Sequence, residues 1–203
     1  MYEKTDKKLQ QLLKQITRLF NRYREITDFD ELNVIKNTKD LYSELEKLND
    51  DAYLEIANYY YQDATGTNKK LSTEWLLALL LGYDYVTRYV YKHEVERKRA
   101  RLAESLIATH SKIDNFKTAK NLWWKQTSQY AISISDEAQL QGYRDAGVEY
   151  VVWNSVIDGR ECEICRKRNG KVYAIDKVPA KPHYNCRCHF TPYKKVTRWE
   201  ISG

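Results

Sequence analysis

The sequence predicts an α+β protein, mainly α: an N-terminal antiparallel helical body followed by a small β-rich C-terminal module. Three observations predict this. Apolar residues recur at helical spacing through most of the chain, and only seven Gly and three Pro interrupt its 203 residues. Past about residue 147 the pattern changes to short β-branched runs between turn signals. All four cysteines fall in that last part, as Cys162-x-x-Cys165 and Cys186-x-Cys188. The division is placed at residue 130, with a helical body over 1–130 and a module over 131–203.

The elements follow in order. Leu9, Leu12, Leu13, Ile16, Leu19, Phe20 and Tyr23 form one apolar stripe opposite Lys, Arg and Gln, which predicts a helix over about 4–26. Asp28 or Asp30 is placed to cap a second helix carrying Leu32, Ile35, Leu41, Leu45 and Leu48. The pattern resumes at Tyr53, Ile56, Ala57 and Tyr60, after an expected bend at Asn49-Asp50-Asp51. Thr65-Gly66-Thr67-Asn68 breaks it. Ser72 is the expected N-cap of the longest helix, with Leu71 and Leu76 as its hydrophobic staple. Trp75, Leu76, Leu79, Leu80, Tyr83, Val86 and Val90 form its stripe. Leu77 and Leu81 make its start apolar on most sides, which predicts a place at the centre of the body. The charged stretch 92–101 reads as a solvated face, and His93 and His110 as structural.

Asp114 is expected to cap a helix with Phe116, Ala119, Leu122, Trp123 and Tyr130. Trp123 and Trp124 cannot share one helix face, so one is core and the other boundary. Ser135 is expected to cap a further helix that ends with Gly147 at C′. Residues 148–153, 172–175 and 187–191 read as strands. Asn169-Gly170 reads as a type I′ turn between two of them.

Charge is uneven. Of 34 Lys+Arg and 28 Asp+Glu, residues 158–203 hold 11 and 5, so the whole net charge of +6 sits there. Such a module suits contact with nucleic acid or an acidic protein surface; Arg166, Lys167, Arg168 and Lys171 are the candidate nucleic-acid contacts. The charged start of the chain, and a longest apolar run far short of the roughly 20 residues of a membrane span, predict a soluble protein made in the cytoplasm.

Cys162, Cys165, Cys186 and Cys188, with His183 as the competing fourth ligand, have the residue types and spacing of a tetrahedral zinc site. A Cys-x-x-Cys turn lets two thiolates reach one ion. Cys186 and Cys188 lie on one face of an extended segment. His189 is a sixth candidate. A β-rich unit of about 40 residues has little core of its own, so zinc is expected to be structural and to supply folding energy. The H-x-E of zinc deaminases and the H-E-x-x-H of metalloproteases are absent, as is any Gly-rich phosphate loop. No enzyme is expected, and no catalytic residue is assigned.

The string Trp153, Asp158, Arg160, Cys162, Cys165, Gly170, His183, Asn185, Cys186, Arg187, Cys188 resembles the signature of the phage Mu F-like, SPP1 gp7-type head morphogenesis (minor capsid) family. The lead-in Asp145 to Val152 also looks like that family's, and the convincing match runs over about 132–192. The order Pro182-His183-Tyr184 departs from the family's usual H-P-N without changing the ligand count. The resemblance implies a phage or prophage protein of the virion head interior. Such a protein associates with the portal protein and with capsid or scaffold proteins, and assists head assembly, DNA packaging or ejection. The alternatives are a zinc-stabilised DNA-binding protein, whose affinity would fall steeply with salt, and a hydrolase or toxin-related enzyme.

Overall fold

The computed structural model describes residues 3–81, 91–157, 159, 161–183 and 186–193. Asp158, Arg160 and Asn185 of the motif, and Tyr83, Val86 and Val90 of the expected long helix, lie outside these residues. The described chain is mainly helical with one small sheet: α1 (Glu3–Ile26), α2 (Glu31–Thr65), α3 (Thr73–Leu81), α4 (Tyr91–Thr109), α5 (Lys112–Asp145), β1 (Tyr150–Asn154), α6 (Glu163–Arg168), β2 (Val172–Ala174), a 3₁₀ turn (Ile175–Lys177) and β3 (His189–Pro192).

Local chemistry sets the helix ends. Asp30 caps α2, its carboxylate accepting from the Asn33 N–H at 3.0 Å. Gly66 closes α2 in the left-handed region at φ 64°. The Ser72 hydroxyl accepts from the Trp75 N–H at 3.2 Å and starts α3. Trp123 is buried in the core and Trp124 packs at its edge.

Two expected interruptions do not occur. α2 runs unbroken through Asn49-Asp50-Asp51, because α5 engages the buried Asn49 and the Tyr53 that follows one turn on. The Asn49 amide donates to Thr127 Oγ1 at 3.1 Å, and the Tyr53 hydroxyl donates to the Thr127 carbonyl at 3.3 Å. Tertiary contacts thus override the turn preference of the local sequence. α5 likewise continues through Ser135, which begins no new helix. That side chain is buried and donates back to the Ile132 carbonyl at 2.8 Å, inside its own helix.

The centre of the body is also not the apolar helix the sequence points to. α2 and α5, of 35 and 34 residues, make the most extensive helix–helix contact, and α1 and α4 pack around them. Within its described residues α3 buries Leu76 and Leu80 but leaves Leu77 exposed, so this part lies at the periphery. The long stripes of α2 and α5 pack on each other, and buried apolar area decides the layering.

The structure has two cores. The larger is helical and holds Leu12, Phe20, Leu41, Tyr42, Tyr53, Trp123 and Ala138 among others. The smaller gathers Leu140 and Tyr143 of α5 with Val151, Trp153, Cys165, Ile175, Cys186, Cys188 and Phe190. Helix α5 therefore crosses residue 130 without a break, and its last turns form one wall of the second core. The sheet order is β2-β1-β3, all antiparallel, with Val151 opposite Tyr173 on one side and Trp153 opposite Phe190 on the other.

Gly142 fixes how closely α5 crosses α2. A Cβ there would stand 2.7 Å from Ala64 Cβ and 2.9 Å from the Tyr61 carbonyl oxygen, and neither can move without the α2 backbone. Gly142→Leu should destabilise the protein by about 1–3 kcal/mol or more. Thermal denaturation checks this; a melting temperature equal to wild type would show that the two helices do not cross this tightly.

Candidate metal centre

The Cys-x-x-Cys segment is built as a helix start. Cys162 is the N-cap of α6, in extended conformation, and its Sγ accepts from the Cys165 N–H at 3.3 Å. That geometry turns both sulfurs toward one point. Asn169-Gly170 then ends α6. It forms a type II turn rather than the expected type I′, with Asn169 at φ −55°, ψ 129° and Gly170 at φ 74°. The Lys171 N–H closes the turn on the Arg168 carbonyl at 3.0 Å. A type I′ turn joins two strands and needs positive φ at both central residues. This turn leaves a helix, so only the glycine adopts positive φ.

The turn is spliced to β1. The Gly170 N–H donates to the Trp153 carbonyl at 2.8 Å, and the Trp153 N–H donates to the Lys171 carbonyl at 2.9 Å. Ser155 completes the splice: its N–H donates to Asn169 Oδ1 at 2.8 Å and its hydroxyl to the Cys165 carbonyl at 2.7 Å. Its Oγ also lies 3.5 Å from Cys188 Sγ. Nothing in the sequence singled out Ser155 or the side chain of Asn169. An Asn-Gly pair four residues past a Cys-x-x-Cys is the signal that could have found the second.

Cys162, Cys165 and His183 form one group of converging ligand atoms, and Cys165, Cys186 and Cys188 form another. Cys165 belongs to both. Its Sγ is 3.5 Å from His183 Nε2 and 3.6 Å from Cys186 Sγ. Zinc–sulfur bonds of about 2.3 Å at the tetrahedral angle put neighbouring sulfurs about 3.8 Å apart, so each separation has the length of a zinc tetrahedron's edge, and Cys165 is the one corner the two groups share. None of the cysteines is in a disulfide, and Cys165, Cys186 and Cys188 are buried. His189, the sixth candidate, joins neither group among the described residues; it sits on β3 opposite Asn154.

The electrostatics agree with this donor set. Cys188 is pulled down to about 5, first by the Cys186 thiol, against burial, and then by Ser155 and Cys165. Cys186 is raised by its bond to Cys188 and by burial. Burial pushes Cys165 up to about 12. Burial also acts on Cys162, but the N–H groups of Cys165 and Ile164 and the nearby His183 outweigh it and hold that thiol below its ordinary value. Thiols this close titrate together, since charge on one raises the penalty on the next. A divalent cation removes that penalty and lets several ionise at once. The residues fit a thiolate-bound metal.

The basic candidates for nucleic-acid contact are largely engaged within the chain. Arg166 Nε pairs with Glu161 at 3.0 Å and Lys167 with Glu163 at 2.7 Å. Arg168 stacks over Trp153 at 4.9 Å from the ring centroid and donates to the Ala180 carbonyl at 2.8 Å. Lys171 is exposed beside the turn, and half-buried Arg187 lies between the two cysteines of the last pair. Arg168 thus ties α6 to the loop that leads to His183. Arg168→Ala should cost about 1–2 kcal/mol of module stability. Urea denaturation followed by tryptophan fluorescence reads this, and an unchanged midpoint would remove that role.

Comparison with known proteins finds a similarity that takes in this module. Residues 102–191 match the sequence model of the family described as Phage Mu protein F like protein. The match begins in α4, takes in all of α5 and both cysteine pairs, and ends in β3. No curated protein and no solved structure matches the chain. Over residues 102–191, just under half of its length, the chain is similar to the phage Mu protein F like family.

Proposed function

We propose that the protein is a minor capsid protein of a phage or prophage head, which docks on the portal vertex and assists assembly, packaging or ejection without catalysing a reaction. The observation that carries this reading is the family match over the metal module and the helix that supports it. In this reading the helical body is the docking part. Its surface keeps large apolar side chains exposed at the α1–α2 junction, Ile26, Phe29 and Leu32 among them, as an assembling protein needs. The module is a rigid end-piece held by one structural zinc, drawn from Cys162, Cys165, His183, Cys186 and Cys188. The ion supplies folding energy where the sheet alone is too small to provide it. Cys165, Cys186 and Cys188 are buried away from any substrate, which favours a structural site over a catalytic one.

The test is co-expression with the portal protein from the same phage genome, followed by affinity capture of the portal and size exclusion. The chain should co-elute with the portal ring at a fixed stoichiometry. Elution of the chain alone, with the portal intact, would contradict docking.

A further inference from the structure

A charged pair that the metal ligands do not use lines a cavity beside the second core. Lys181 lies in the loop two residues before His183, and its side chain is 4% exposed. Its Nζ stands 2.6 Å from Asp136 Oδ2 on α5, whose side chain is 12% exposed. A lysine this deeply buried needs a reason, because an isolated buried ammonium is costly and even a buried pair often adds nothing to stability. The same lysine charge acts on Cys186 and on His189, while Asp136 feels the charge of Cys188. Lys181 and Asp136 line one cavity with Leu140, Ile175 and Phe190, so the ammonium borders the core that holds Cys165, Cys186 and Cys188. Three or four thiolates around a divalent zinc carry a net charge of about −1 or −2. In a buried site that excess needs a counter-charge, and Lys181 is a buried cation at the edge of that core.

We propose that Lys181 is the counter-cation of the metal centre, a positioning residue held in place by Asp136. This rests on the metal reading above. Outer groups of this kind typically change metal affinity by about 10- to 100-fold. Two substitutions separate the role from that of an ordinary ion pair. Lys181→Met removes the cation and keeps the apolar stem, and should weaken zinc binding by about 10- to 100-fold. Asp136→Asn keeps an oxygen that can accept from Nζ but removes the competing negative charge, and should leave zinc binding as tight as wild type or tighter. A merely structural pair is broken by either change, so both would move zinc affinity the same way.

The experiment is competition for zinc between the full chain and a chromophoric chelator, with circular dichroism confirming the fold of each variant. Weakening in Lys181→Met with none in Asp136→Asn supports the proposal. Equal affinity in wild type and Lys181→Met overturns the counter-cation role alone, as does a tenfold loss in Asp136→Asn, which is decisive even if Lys181→Met does not fold. A wild-type chain that takes up no zinc overturns the metal centre and this inference with it.

Discussion

Cys165→Ser should abolish metal retention and unfold the module while the helical body stays folded. Cys165 is the ligand shared by both converging groups, and it is buried in the second core. Serine offers a hard oxygen that zinc accepts poorly in place of a thiolate. In small zinc units the binding energy is folding energy, apparently about 10–16 kcal/mol near neutral pH. Losing most of it leaves Val151, Trp153, Ile175 and Phe190 with too little apolar area to hold the sheet. The helical core does not depend on this ligand, because Leu12, Phe20, Tyr53 and Trp123 belong to the other cluster. Far-ultraviolet circular dichroism should therefore change little, while β1, β2 and β3 lose their protection from hydrogen exchange. A variant that keeps zinc, or whose sheet stays protected without it, contradicts the assignment of Cys165.

Trp153→Ala should cost about 3–5 kcal/mol, the range for removing a large buried aromatic. Trp153 is fully buried on the middle strand. It meets Phe190 edge-on at 5.3 Å, Tyr173 at 6.3 Å and the Arg168 guanidinium at 4.9 Å. One ring thus touches both neighbouring strands and α6. Its loss opens a cavity that two edge strands of three and four residues cannot collapse to fill. The loss should appear as a lowered denaturation midpoint of the module with the zinc still bound. Trp153→Phe, which keeps part of the aromatic contact, should recover part of it. Equal midpoints for wild type and Trp153→Ala would show that the ring does not hold the module together.

The sequence was most informative where chemistry is local. The stripe of α1, the caps at Asp30 and Ser72, the glycine after α5 and the cysteine pairs all follow from spacing and residue type. It misled where a distant partner decides. Asn49-Asp50-Asp51 reads as a bend, yet Thr127, 78 positions away from Asn49, takes up the Asn49 amide where α2 continues unbroken. Ser135 reads as a cap, yet burial inside α5 makes it a helix-interior residue. Leu77 belongs to an apolar helix start, but two longer helices fill the centre and leave it exposed.

The same limit applies at the site. The cysteine and histidine types were legible because a metal-binding cluster demands them. Ser155, the Asn169 side chain and the Lys181–Asp136 pair were not, since each depends on which segments the fold brings together. Gly142 belongs with them. Nothing local marks it, as its φ is not positive, and only the approach of α2 excludes a side chain.

The central claim is that one metal ion staples the module onto the end of α5. Elemental analysis of the purified chain, before and after treatment with a strong chelator, tests it most directly when paired with hydrogen exchange across β1 to β3. One zinc per chain, with the sheet protected before chelation and exposed after it, is the predicted result. A zinc-free chain whose sheet is already fully protected would contradict it.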